Sequence, residues 1–92
     1  MFIKIDDIPN IWVVKYYKNI PFIKAFGKNL RRIRLEKDIS QEQLANDIDI
    51  PINQIGRIER GEINTSISVA YAITKALKIN IVELFNFKIK DE

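Results

Sequence analysis

The side chains of this 92-residue chain that could do chemistry are cations and carboxamides, because it holds no histidine and no cysteine. Without imidazole or thiol there is no ordinary base at neutral pH, no thiolate nucleophile, no disulfide and almost no way to build a zinc site. No glycine-rich phosphate loop or catalytic carboxylate pair stands in the sequence, so we expect no enzyme, no metal and no cofactor. What the chain concentrates is positive charge. The net charge is only +3, yet Lys24, Lys28, Arg31, Arg32, Arg34 and Lys37 are opposed within their stretch by Glu36 alone. Asp6, Asp7, Asp47, Asp49, Asp91 and Glu92 lie outside that stretch. A basic face suits a polyanionic partner. On charge alone, a solvated helix face accounts for it equally well.

Such side chains need rigid carriers. Phe22, Phe26, Leu30 and Ile33 recur at helical spacing and predict a helix from Phe22 to Lys37. Ser40-Gln41-Glu42-Gln43 forms a capping box that opens a second helix, with Leu44, Ala45 and Ile48 on its apolar side. Pro51 disfavours helical geometry at Ile50 and is welcome at a helix start. A third helix is therefore expected over Ile52–Arg60, with Ile55 and Ile58 facing inward and Gly61 as a left-handed terminator. Ser66 caps a fourth, Ile67–Leu77, with Ile67, Ala70, Ile73 and Leu77 in core register. Asn80 opens a short fifth that ends near Phe85.

The flanks differ. Phe2–Ile5 and Phe87–Lys90 are rich in strand formers and are expected to pair, within a chain or between chains. Trp12, Tyr16 and Tyr17 form an aromatic cluster that either joins a dimer contact or caps the core. The chain thus divides into an N-terminal extension (1–21), an all-α five-helix domain (22–86) and a C-terminal tail (87–92). A hydrophobic fraction of 47% with 29% charged residues fits a folded domain rather than disorder. No signal peptide and no apolar run near the ~20 residues of a membrane span is read. We therefore expect a cytoplasmic protein and no membrane partner.

Two short helices, Ser40–Ile48 and Ile52–Arg60, joined by a tight turn with small Ala45 at their crossing, meet the steric requirement of a helix-turn-helix. The series Leu30-Arg31-Arg32-Ile33-Arg34, Ile39-Ser40-Gln41-Glu42-Gln43-Leu44-Ala45, Ile55-Gly56-Arg57-Ile58-Glu59-Arg60-Gly61, Ala76-Leu77-Lys78-Ile79 and Glu83-Leu84-Phe85 carries a resemblance. Over Phe26–Phe85 the chain resembles the lambda-repressor/Cro-like, or xenobiotic-response-element, family of helix-turn-helix regulators.

The resemblance implies a set of roles. Ile52, Asn53, Gln54 and Arg57 would face base edges in the major groove, with Asn53 pairing adenine and Arg57 pairing guanine. Ser40, Gln41, Gln43, Arg60 and Asn64 would meet phosphates, which position the protein without reading sequence. Arg34 and Glu59 would form a structural ion pair. Three positions depart from the family pattern: Asp49 stands where glycine is usual in the turn, Pro51 replaces a Ser or Thr cap, and Glu62 occupies a place that is often basic.

The function implied is a sequence-specific transcriptional regulator, a repressor or controller, bound as a homodimer to a pseudo-palindromic operator in double-stranded DNA. A restriction–modification controller is a close variant. Tyr71, Ile81, Val82 and Phe85 are the candidate dimer surface. The alternative is an antitoxin whose flank binds a toxin.

Overall fold

A computed structural model describes residues 17–89, together with the backbone of two short strands near the N-terminus. Those strands, β1 (Phe2–Lys4) and β2 (Trp12–Val14), pair antiparallel with Ile3 opposite Val13. The body is five helices: α1 (Ile20–Glu36), α2 (Gln41–Ile48), α3 (Ile52–Glu59), α4 (Ile67–Leu77) and α5 (Ile81–Leu84).

The helix ends follow from local chemistry. α1 begins at Ile20, two residues before the expected start. Asn19 accepts from the Phe22 amide (3.0 Å), and Pro21 sits inside the first turn, where its missing N–H costs nothing. At α2, the Ser40 oxygen accepts from Gln43 N and the Gln43 side chain accepts from Ser40 N, which closes the capping box reciprocally. Ser66 and Asn80 cap α4 and α5 in the same one-sided way as Asn19.

Asp49 takes the left-handed conformation (φ 60°, ψ 47°) that glycine usually supplies, and Ile50 N then returns to Ala45 O (3.0 Å). Aspartate is among the few side chains that enter this region readily. The turn between α2 and α3 is therefore closed without glycine.

The core lies where the five helices converge. Leu30, Leu44, Ile55, Ile58, Ile73 and Leu84 are essentially inaccessible. α2 packs on α3 and α4, and α1 packs on α3 and α5. Each such aliphatic contributes roughly 1.5–3 kcal/mol by leaving water. Gly27 belongs to this packing: a Cβ there would collide with the carbonyl oxygens of Ile58 and Glu59, so the absent side chain is what lets α1 meet the end of α3. Buried Asn29 donates to Glu83 O (3.0 Å) and Leu84 O (2.8 Å), helping to satisfy the carbonyls at the end of the short α5.

Two expectations are corrected. Within the chain, β1 takes β2 as its partner rather than the Phe87–Lys90 segment, whose described residues 87–89 are irregular. The tail is held instead by its ring, because Phe87 packs on Phe22 at 5.1 Å between centroids and lies 6.3 Å from Phe85. Ile67 is not in the core. At the first position of α4 it is 90% exposed, one turn ahead of the buried stripe formed by Ala70, Ile73, Thr74 and Leu77. Tyr17 is exposed, whereas the side chains of Trp12 and Tyr16, and residues Ile5 and Lys90, lie outside the described residues. No helix among the described residues is long and apolar enough to cross a membrane.

Candidate nucleic-acid interface

α3 is amphipathic over its eight residues. Ile55 and Ile58 anchor it to the core, while Ile52, Asn53 and Arg57 are exposed and Gln54 is half-buried. Asn53 and Arg57 stand four residues apart, on one side of the helix. Pro51 gives α3 no side-chain cap, so its leading amides have no such acceptor.

Behind this face lies a buried ionic knot. The Arg34 Nε donates to Glu59 Oε2 (2.6 Å) and its Nη2 to Oε1 (3.0 Å), while Nη1 donates to Ile39 O (2.9 Å). The two side chains are 5% and 2% exposed, so neither charge would be tolerable alone. The pair ties α1, the α1–α2 loop and the end of α3 into one body.

Glu59 also organises side chains nearer the surface. Gln41 Nε2 donates to Glu59 Oε1 (3.0 Å), and the exposed Arg31 guanidinium approaches the same oxygen at 3.7 Å. A carboxamide has two N–H groups. One is engaged with Glu59, which fixes the orientation of the group and leaves the second for another acceptor. Ser40 keeps a hydroxyl proton after accepting from Gln43 N, and Gln43 keeps its NH₂ after its oxygen accepts from Ser40 N. Ser40, Gln41 and Gln43 thus gather donors at the start of α2.

Beyond α3 the chain closes a Schellman motif. Gly61 takes φ 73°, Gly61 N donates to Ile58 O (3.0 Å), and Glu62 N donates to Arg57 O (2.9 Å). Glu62 is thereby seated over the last turn of α3. Its carboxylate accepts from Arg60 Nε (2.6 Å) and lies 3.6 Å from Arg57 Nε. Glu62 is held below the usual carboxylate range, first by the hydrogen bond from Arg60. Arg60 is raised in turn, first by the hydrogen bond to Glu62. Asn64 is partly engaged as well, donating to Tyr17 O (3.3 Å).

The proposed dimer residues are all accessible: Tyr71 58%, Ile81 46%, Val82 70% and Phe85 40%. Of these, Phe85 also lines a groove of about 220 Å³, together with Phe22, Phe26, Ile67 and Ala70 among others. Sequence reasoning missed Arg31 as a second partner of Glu59, because it gave that role to Arg34 alone and left Arg31 in the basic run. It also missed Asn29. A polar residue at a core position of α1, flanking Leu30, was the available signal. No group of three or more acidic residues is arranged to hold a metal ion among the described residues.

A short helix held outward by a second, across a three-residue turn and on a five-helix body, defines a helix-turn-helix domain. The helix-turn-helix family HTH_3 matches residues 30–84, and the chain belongs to this family. Control protein C.BamHI of Bacillus amyloliquefaciens is 41% identical over 63 residues, which span 67% of this chain and 78% of that protein. The restriction–modification controller C.AhdI of Aeromonas hydrophila superposes with TM-score 0.67 at 36% identity, covering 68% of this chain and 96% of its own. C.Esp1396I, solved as a tetramer with its natural 35 base-pair operator, superposes with TM-score 0.64 at 31% identity, covering 74% and 88%.

Proposed function

We propose that this helix-turn-helix DNA-binding transcriptional regulator lays α3 in the major groove and reads its operator as a controller of the restriction–modification type. Asn53 and Arg57 are the principal base readers, assisted by Ile52 and Gln54. Ser40, Gln41 and Gln43 meet phosphates at the start of α2, and Arg60 and Asn64 do so beyond α3. The observation that supports this most directly is the outward projection of Asn53 and Arg57 from a helix whose other face is locked by Ile55, Ile58 and the Arg34–Glu59 pair.

One reader of this size buries only about 600–1,000 Å² on DNA, too little for strong discrimination, so two copies are required. The exposed apolar surface of α4 and α5, with Tyr71, Ile81, Val82 and Phe85, is the surface on which we place the homodimer. Its two copies of α3 would then meet half-sites about 34 Å apart on a pseudo-palindrome. C.Esp1396I, a tetramer on its own operator, supports occupancy by more than one copy. The cytoplasm is the expected site of action, and no catalytic step or cofactor belongs to it. The antitoxin alternative finds no support among the relatives named above.

The test is selection from a pool of random duplexes at two salt concentrations. A recovered inverted repeat, with affinity falling steeply as salt rises, is the expected result. Recovery of no preferred sequence would overturn the assignment.

A further inference from the structure

We propose that Glu62 is a specificity determinant: its carboxylate occupies Arg57 and Arg60, withholding them from phosphates on a duplex that offers Arg57 no base partner. This rests on the DNA-reading role proposed above for α3. The position of Glu62 is fixed by backbone, not by chance rotamers. The bond from Glu62 N to Arg57 O, completed through left-handed Gly61, brings residue 62 back over Arg57. Gly61 is doubly required, since a Cβ there would stand 2.8 Å from Lys24 Cα. From that seat the carboxylate meets Arg60 at 2.6 Å and Arg57 at 3.6 Å. Arg60 is also drawn back along its own helix, its Nη1 2.9 Å from where a Cβ on Gly56 would sit.

All three side chains are about half exposed: Arg57 52%, Arg60 60% and Glu62 47%. Exposed pairs of this kind hold weakly and open readily. A base edge offering two acceptors to Arg57 is a stronger partner than a carboxylate 3.6 Å away, so the matching duplex releases Arg57. Arg60 must leave Glu62 to reach a phosphate on either duplex, but on a mismatched one Arg57 must leave it too, with only a phosphate in exchange. The carboxylate thus acts against the wrong partner more than against the right one, which is how a repulsive element improves discrimination.

The experiment compares wild type and Glu62→Gln on a duplex selected from the random pool and on a scrambled duplex of equal composition, at two salt concentrations. Affinity for the scrambled duplex should rise about three- to tenfold, as expected for freeing cations from exposed ion pairs. The selected duplex should gain less, through Arg60 alone, so the ratio between the two duplexes should fall, and the salt slope on the scrambled duplex should steepen by up to about two. In an Arg57→Ala/Arg60→Ala background the gain should largely vanish. Its full persistence there would mean simple charge repulsion and would overturn the proposal. So would an unchanged ratio between the two duplexes when wild type binds normally. Failure of wild type to bind any duplex would instead remove the DNA-reading role itself, and this inference with it.

Discussion

Two carboxylates three residues apart, Glu59 and Glu62, each gather two arginines at the end of the same helix, yet they differ in everything that decides what an ion pair does. Glu59 and Arg34 are almost fully enclosed, whereas Glu62 and its partners are about half in water. In the enclosed pair, attraction is strong and water cannot replace a missing partner, so the arrangement has one state. In the exposed pair, water and counterions compete at every moment, so the arrangement exchanges freely with any anion that arrives. The same residue types therefore build a fixture in one place and a replaceable contact in the other. The last turn of α3 joins them: its inner side is clamped to α1, and its outer side stays available.

The largest expected effect tests the fixture. Glu59→Ala should destabilise the protein by about 3–5 kcal/mol, since it strands a buried guanidinium. Against a total of roughly 5–15 kcal/mol, that is a large fraction of the stability, and urea unfolding would measure it. Glu62→Ala should leave the same measurement nearly unchanged, because its partners return to water. Equal losses would break the contrast. Arg34→Met with Glu59→Leu should recover much of the stability, because apolar replacements of a buried pair are often neutral. DNA affinity should stay low in that variant, as Gln41 and Arg31 have lost the carboxylate that orients them.

A smaller effect tests how Glu62 is seated. Gly61→Ala forces a Cβ into left-handed backbone and against Lys24, and should cost about 1–3 kcal/mol by thermal unfolding. Any protein that remains folded should show weakened sequence discrimination, because the turn that carries Glu62 over Arg57 is disturbed.

Much of this was legible in the sequence because it rests on short-range rules. The Ser40–Gln43 box, Gly61 beyond α3 and the Ser66 cap are each fixed by bonds spanning a few residues. The helix-turn-helix itself followed from apolar periodicity broken at Pro51. What escaped depends on contacts distant in the chain. Gly27 carries no local signal of its role, which is a packing position against α3. Ile67 read as core by periodicity alone, which cannot tell where the neighbouring helices end. Glu62 stood out as a departure from the family pattern, but its two arginine partners appear only once the Schellman turn folds it back. Asn29 is the same kind of case, since its partners are carbonyls more than fifty residues away.

At the outer face, Arg57→Ala should remove about 1–3 kcal/mol of discrimination at a single base pair and leave the rest of the recovered motif intact. Selection from the random pool reads this directly as a position that becomes degenerate. Uniform weakening, with every position still specified, would move Arg57 from the base readers to the phosphate contacts.

The smallest effect concerns Gln41, which stands between the two regimes. Its carboxamide gives one N–H to buried Glu59 and keeps one for the outside. If that second N–H meets a phosphate, Gln41→Ala should weaken binding by about 1 kcal/mol on every duplex alike, because phosphates carry no sequence. Gln41→Glu separates the two halves of its role. It places a carboxylate beside Glu59 and faces a phosphate with negative charge, so it should weaken binding well beyond the alanine variant, in titrations on both selected and scrambled duplexes. An alanine variant that binds as tightly as wild type would confine Gln41 to the buried knot and leave Ser40 and Gln43 as the donors of α2.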